Sequence, residues 1–389
     1  MKTRKFFGFL MILASGFLFL NCTSDPIPGP PGKDGIDGVD GQDGQDGVSG
    51  TASCVACQSS ATRDPINAAF AISSHNNTEE NEDAGNSNGT VTRSDSQSCA
   101  QCHGEQGYIE FIETGAVAAD FPTETPISCA TCHDMHLSFD FENDGPDYAL
   151  RAPDAKQLLL APSITVDFEG SSNNCISCHQ PRPSYPIPAL NADGIYVVTS
   201  SRFGPHHGPQ STVFEGILGA EIPGSEPYPA PGNVGVADGN GHRALSSCVN
   251  CHMADANEVE IGGHSWHPVE SKCIECHQAV PGEANGFSAD MATLRTLLQQ
   301  VEGVAYQVDE EGDPVFDENG DYIPTETVVV GLLRPGSEDR TNEGIFSDVA
   351  AMGAWNYKTA YEDQSRGIHN PDYIKALLKN SIQALQNEN

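Results

Sequence analysis

Cysteine and histidine recur along this chain in one fixed pattern. Cys-x-x-Cys-His occurs five times, at Cys99/Cys102/His103, Cys129/Cys132/His133, Cys175/Cys178/His179, Cys248/Cys251/His252 and Cys273/Cys276/His277. This is the attachment pattern of c-type haem. The two thiols add across the haem vinyl groups, and the adjacent imidazole becomes an axial iron ligand. Two intervening residues set the thiols a haem edge apart, and a histidine directly after the second Cys falls under the iron. Zinc sites and redox dithiols also use Cys-x-x-Cys, but neither needs that histidine. Only 13 of 389 residues are His, yet His follows five of the six Cys-x-x-Cys units. Five covalent haems are therefore expected, with His103, His133, His179, His252 and His277 on their proximal faces.

A haem that transfers electrons without binding substrate needs a second axial ligand. Eight histidines remain: His75, His136, His206, His207, His242, His264, His267 and His369. They suffice for five bis-histidine haems with three to spare. His136 lies in Cys-His-Asp-Met-His, His264 in Gly-Gly-His, and His369 at a helix entrance, where small or turn-forming neighbours let a ring approach a flat macrocycle. Methionine ligation would raise the potential, but Met135 and Met253 lie too close to their motif histidines to reach across the same haem. Histidine pairs and low potentials are expected.

Elements must position these ligands, and composition sets limits on them. The chain is 38% hydrophobic, with 39 Gly, 26 Pro and a net charge of −35. That is poor material for a large aliphatic core, so haem itself is expected to serve as the interior. The chain stripped of haem would then be unstable, as small metal domains are. With only 19 Lys and Arg, nucleic acid is not a partner. The acidic balance is either a solvated surface or a means of steering a basic protein or cationic mediator.

Residues 1–21 look like an export signal: Lys2, Arg4 and Lys5, then an apolar run from Phe6 to Leu20, short for a membrane span. The run ends at Asn21-Cys22, as in a lipoprotein signal whose Cys22 is lipidated, although Asn21 departs from the usual small residue. A retained anchor and a plain secreted form are the other readings. All three place the haem domain outside the cytoplasm, and the lipidated form puts it on the outer membrane, facing the periplasm or the cell surface. Residues 22–52 carry glycine at every third position from Gly29 to Gly50, the collagen period. The run is short and has little Pro after Pro31, so it reads as a flexible spacer, with a trimerising stalk as the alternative.

Residues 53–389 form the third region, with haem motifs over 99–277 and a helical part over 285–389. The motif starts are 30, 46, 73 and 25 residues apart, so no repeat period exists. Pro, Gly, Ser and Asn between motifs predict loops and short helices, with helices over 65–74 and 105–113 and a strand over 195–199. Residues 304–308 and 327–332 flank two related acidic turns, as a β-hairpin excursion would. Asp317, Asn319 and Asp321 have the alternate spacing of a calcium loop without the rest of one. Helices are predicted over 289–301 and 345–361, the latter with Val349, Met352, Trp355 and Tyr357 packing. A last helix starts at Asn370-Pro371-Asp372 and buries Ile374, Leu377, Leu378, Ile382 and Leu385. These helices are expected to pack on the haems or to serve a dimer contact.

From about residue 54 to its end the chain resembles bacterial multihaem c-type cytochromes of the outer-membrane and extracellular electron-transfer kind. The resemblance rests on the haem motifs together with Gly-Tyr-Ile-Glu-Phe-Ile (107–112), Ile-Ser-Cys-Ala-Thr-Cys-His-Asp-Met-His (127–136), Arg-Phe-Gly-Pro-His-His-Gly-Pro-Gln (202–210), Gly-Gly-His (262–264) and Gly-Ile-His-Asn-Pro (367–371). It implies a multihaem cytochrome fold, loop-rich, with short α-helices wrapped on a haem stack, longer C-terminal helices and a minor β-hairpin. It also implies distal roles for His136, His206 or His207, His264 and His369. Cys54-Val-Ala-Cys57 is followed by Gln58 where a haem motif has His, and His75 resembles the distal histidine that follows such a motif. That pair is a local disulfide, free thiols, or the seat of a sixth haem with another ligand.

The resemblance implies an electron carrier working with other redox proteins. A reductase of small nitrogen or sulfur oxyanions would need one open haem face flanked by cationic or hydrogen-bonding groups. The similar nitrite reductases carry Lys after one Cys-x-x-Cys, and Gln58 does not match. The charge of −35 also repels an anion, unless a local Arg202 or Arg243 overcomes it. An oligomer or filament of stacked cytochromes would use the same residues.

Overall fold

Each Cys-x-x-Cys-His motif folds as a turn of helix. The histidine N–H donates to the carbonyl of the first cysteine at 2.9 Å for His133, 2.9 Å for His179 and 2.8 Å for His277. In a helical turn, residues i and i+3 share a face and i+4 lies beneath them, so the backbone delivers the two thiols together and the imidazole next to them.

The computed structural model describes residues 58–76, 93–123, 125–138, 147–232, 241–255 and 262–388. The export segment with Cys22, the Gly-x-x run, and Cys54 and Cys57 lie outside the described residues. The first part is short elements joined by loops. Helix α1 (Ser60–Ala71) starts five residues before the predicted span, with Pro65 inside it, and a 3-10 turn follows at Ser74–Asn76. Next come α2 (Gln97–His103), α3 (Glu105–Thr114) and the single turn α4 (Cys129–Cys132). A two-residue ladder pairs β1 (Lys156–Gln157) with β2 (Thr165–Val166). Then follow α5 (Ser171–Ile176), β3 (Ile195–Val198), α6 (Gln210–Glu215), α7 (His242–Leu245), α8 (Cys248–His252) and α9 (Glu270–Cys273). The hydrophobic cluster inside this part is small: Leu158, Val166, Phe168, Ile176 and Ile217.

The C-terminal part is different. It comprises α10 (Phe287–Leu298), β4 (Glu302–Tyr306), β5 (Pro324–Val330), β6 (Gly344–Ser347), α11 (Asp348–Glu362) and α12 (Pro371–Glu388). The three helices pack on one another, and α11 also packs on β3 and β6. The sheet order is β3-β6-β4-β5, antiparallel throughout. A contiguous core joins Leu294 and Leu298 of α10, Phe346 of β6, Met352 and Trp355 of α11, and Tyr373, Ile374, Leu377 and Leu385 of α12. Fully burying each such side chain contributes roughly 1.5–3 kcal/mol. The expectation that haem alone would be the interior therefore needs correction: this half carries a conventional apolar core, because its helices have the apolar periodicity that the motif region lacks.

The helix expected over 345–361 divides at Ser347. Ile345 and Phe346 belong to β6, where Ile345 pairs with Val197 on one side and Val304 on the other. Gly303 permits this strand crowding, since a Cβ there would lie 2.5 Å from the Ile345 carbonyl oxygen. The helix begins only where Ser347 caps it, its Oγ accepting from Ala350 N–H at 3.0 Å. Asn370 caps α12 as expected, its Oδ1 accepting from Tyr373 N–H at 3.1 Å.

The hairpin excursion is β4 and β5, extended by bridges Val308–Pro314 and Phe316–Tyr322. Its two acidic turns are the same object twice. Asp309 Oδ1 accepts from the N–H groups of Glu311 and Asp313 at 3.1 and 2.8 Å, and Asp317 Oδ1 from those of Asn319 and Asp321 at 2.8 and 2.9 Å. These carboxylates close turns, which accounts for the spacing that resembled a calcium loop. Among the described residues no three or more His, Cys, Asp and Glu side chains converge as an ion site.

Candidate haem-binding site

The histidines meet two by two, one from a motif and one from elsewhere. Ring centres are 6.1 Å apart for His133 and His264, 6.1 Å for His179 and His75, 6.1 Å for His252 and His369, and 5.9 Å for His277 and His242. A metal about 2 Å from the near nitrogen of each of two facing imidazoles sets ring centres roughly 6 Å apart. The fifth motif histidine, His103, lies in the field of both His206 and His207, whose own rings are 4.5 Å apart. Thus His75, His242, His264 and His369 each face one motif, and His206 and His207 share the first. His136 is placed elsewhere: its Nδ1 lies 3.8 Å from Asp147 Oδ2, and its ring is not one of the four pairs.

The far nitrogen is held in six of these rings, whereas Nδ1 of His103 is buried without a hydrogen-bond partner among the described residues. Nδ1 of His133 bonds the Tyr148 carbonyl oxygen at 2.7 Å, that of His252 the Trp266 carbonyl at 2.9 Å, and that of His242 the Ile368 carbonyl at 2.8 Å. Nδ1 of His179 bonds Gln210 Oε1 at 3.3 Å, that of His207 Glu362 Oε2 at 2.7 Å, and that of His369 Asp363 Oδ1 at 2.7 Å. A proton fixed on Nδ1 leaves Nε2 with its lone pair, the state in which histidine ligates metal. Burial supports the same neutral state. It lowers the His75 pKa to about 4, helped by His179, and the His103 pKa to about 4, helped by His207, Arg182 and Arg93. Burial likewise lowers the pKa of His179, His252 and His264. His369 goes the other way: burial opposes its charge, but the Asp363 carboxylate overcomes that and raises its pKa.

Several anchors come from one stretch, the end of α11 and the turn after it. Glu362 and Asp363 hold His207 and His369 directly. The Glu362 carbonyl accepts from Gln210 Nε2 at 2.9 Å, and Gln210 in turn contacts His179. Ile368 holds His242. The apolar C-terminal core thereby holds candidate ligands of four motifs from a distance in sequence that motif reading does not reach.

The motifs also touch one another. The Cys178 thiol, hydrogen-bonded to Cys102 and buried, is pushed well above the ordinary thiol range, and Cys175 is raised in the same way by Cys248 and burial. The third motif thus abuts the first and the fourth. Tyr108 of α3 donates to Asn174 Oδ1 at 3.2 Å, tying the helix that follows the first motif to α5. Gly208 lets the 204–209 loop lie on the third motif, since a Cβ there would be 2.4 Å from the Gln180 carbonyl oxygen.

Trp266 was not singled out by sequence. Its ring lies edge-on to His75 at 4.4 Å and to His264 at 5.6 Å, and its carbonyl holds His252. It therefore contacts ligand candidates of the second, third and fourth motifs. Its adjacency to Gly-Gly-His, and its rarity as one of two tryptophans, were the available signals.

The donor set fits haem. Ten described cysteines are free of disulfides, each motif histidine has a histidine opposite or nearby, and the Cys-x-x-Cys pairs gather no further donors of the kind a zinc site needs. Apolar side chains stand exposed beside the motifs, including Met135, Leu137, Leu245 and Ile274, as surface against which an apolar macrocycle packs.

No protein-family model and no curated protein matches the chain. Among solved structures, the crystal structure of the outer cell wall cytochrome OcwA is similar, with 17% identity and a TM-score of 0.44 over 82% of this chain and 50% of that one. The chain spans about half the length of that protein. No helix among the described residues is long and apolar enough to cross a membrane.

Proposed function

We propose that this chain is a multihaem c-type cytochrome that carries electrons through bis-histidine haems outside the cytoplasm, at the outer membrane or cell surface. The observation that carries the reading is the set of four ring pairs at 5.9–6.1 Å, each joining a motif histidine to a histidine remote in sequence. Chance surface histidines would not sort in this way. Cys99, Cys102, Cys129, Cys132, Cys175, Cys178, Cys248, Cys251, Cys273 and Cys276 would form the thioether links. Bound haem supplies one-electron chemistry. The chain disfavours the charged form of His75, His103, His179, His252 and His264, orients six of the rings through Nδ1, and keeps neighbouring motifs in contact. Other redox proteins are the partners, and lipidation at Cys22 is the route to a membrane.

Intact mass of protein matured in a host competent for c-type haem, together with its visible and EPR spectra, tests the reading. Five added haems, all low-spin, are expected. A colourless product or high-spin iron throughout would end it.

One observation favours a second reading at the first motif. His103 has no ring partner near 6 Å among the described residues, and His207, Arg182 and Arg93 lie in its field. A cationic open face there would bind a small oxyanion. A high-spin fraction that shifts with nitrite or hydroxylamine would support this reductase.

A further inference from the structure

The ligand pairs differ in what holds their far nitrogens. His133, His242 and His252 bond main-chain carbonyls, and His179 bonds an amide. His369 bonds a carboxylate, Asp363, at 2.7 Å. The Asp363 side chain has no exposed surface, and His369 is 23% exposed. Asp363 is kept in place from three sides. Its other oxygen accepts from Ser365 Oγ, its N–H donates to the Thr359 carbonyl at 3.1 Å, and Ser365 Oγ accepts from His369 N–H at 3.1 Å. The loop thus folds acid, hydroxyl and imidazole into one fixed unit on the end of the apolar core. Glu362 makes a bond of the same length to His207, and its carboxylate is also nearly buried at 7% exposure, so the first motif's candidate ligand has a carboxylate behind it as well.

We infer that Asp363 is a positioning residue that sets the reduction potential of the haem gripped by His252 and His369 below those of the other three paired haems. The inference rests on the haem reading above. A carboxylate accepting from Nδ1 makes the imidazole a more basic ligand. A fixed negative charge one ring away from iron favours the oxidised state, which carries one more positive charge, and burial strengthens the effect by keeping water out. Hydrogen bonding and burial around an axial ligand are among the protein's means of setting haem potential. The other acceptors among the paired histidines are neutral and do this less.

The experiment uses full-length holoprotein. Spectropotentiometric titration resolves the midpoints, EPR resolves the low-spin ferric signals, and intact mass counts haems. Asp363→Asn retains an acceptor for Nδ1 and removes the charge. One midpoint, below those of the other three paired haems, should move positive, the others should stay, and one low-spin EPR signal should shift with haem count unchanged. That signal should be the one His369→Ala converts to high-spin. Ser365→Ala tests the opposite sign: it removes a donor from the carboxylate, leaves more of the charge for His369, and should move the same midpoint negative. With five low-spin haems present, midpoints unmoved in both variants would overturn the inference, and so would movement of a different haem. A wild-type mass without five haems would overturn the parent reading instead.

Discussion

Replacing His264 by Ala is the sharpest test of the ligand pairs. His264 faces His133 at 6.1 Å, whereas His136, only three residues from His133 in sequence, lies against Asp147. With five motifs, His264→Ala should convert one fifth of the haem to high-spin and leave four fifths unchanged. The structural cost is modest. The edge contact of His264 with Trp266 at 5.6 Å is an interaction of about 0.5–1.5 kcal/mol, and the 262–266 turn lies apart from the C-terminal core. His136→Ala should leave every haem low-spin. EPR of the ferric protein, integrated against a haem count from intact mass, reads both outcomes. If His264→Ala stays wholly low-spin while His136→Ala produces the high-spin fifth, the pairing drawn from ring geometry is wrong.

At the first motif, His207→Ala should produce a high-spin fraction and His206→Ala should not, because only the His207 ring has its Nδ1 fixed by a carboxylate among the described residues; the same EPR integration decides. Trp266→Leu should shift the spectra of the second, third and fourth haems and slow electron equilibration among them, read by flash reduction, with the first and fifth unchanged. Leu377→Ala, at a fully buried position of α12, should destabilise the fold by about 2–5 kcal/mol in denaturant titration with haem number unchanged. Asp317 is held below the usual carboxylate range by the N–H groups of Asp321 and Asn319. A depressed folded pKa gives stabilisation that is present above the unfolded value and lost as pH falls through the folded one. Amide exchange across 317–321 should therefore rise as pH is lowered below the normal carboxylate range, after correction for intrinsic rates, and Asp317→Asn should remove that dependence.

What the sequence disclosed followed the range of its signals. The Cys-x-x-Cys-His turns, the cap at Asn370 and the buried face of α12 depend on residues within a few positions of one another, and each was legible. The pairing of His75 with His179, or of His242 with His277, depends on chain separations that no local pattern encodes. Proximity in sequence does not supply the pairing, since the ring that faces His133 is that of His264. Residues 345–347 read as the first turn of a helix whose packing residues are Val349, Met352, Trp355 and Tyr357. Strand pairing with β3 and β4 overrode that, and the Ser347 cap marked where the helix had to begin. Low hydrophobicity averaged over 389 residues concealed a core because the apolar residues are concentrated beyond residue 285 and in the segments docked there, such as Val213, Ala220 and Ile222.

That core explains how a loop-rich motif region can order the candidate ligand rings. A ligand histidine on a free loop would lose rotamer and backbone freedom at every haem, and its ring would wander between orientations with different potentials. Here the ordering comes from elsewhere. Trp355 Nε1 bonds the Leu218 carbonyl at 3.0 Å and Asn356 bonds Ala220 through both its oxygen and its nitrogen, so α11 clamps the chain that follows the His206/His207 loop. The same helix ends in Glu362 and Asp363, two consecutive side chains that reach ligands of different motifs. The apolar helices are thus connected to the candidate ligand rings by hydrogen bonds to Nδ1 of His207 and His369. Destabilising them should first loosen His207 and His369 and leave His133, whose anchor Tyr148 lies outside that core, in place.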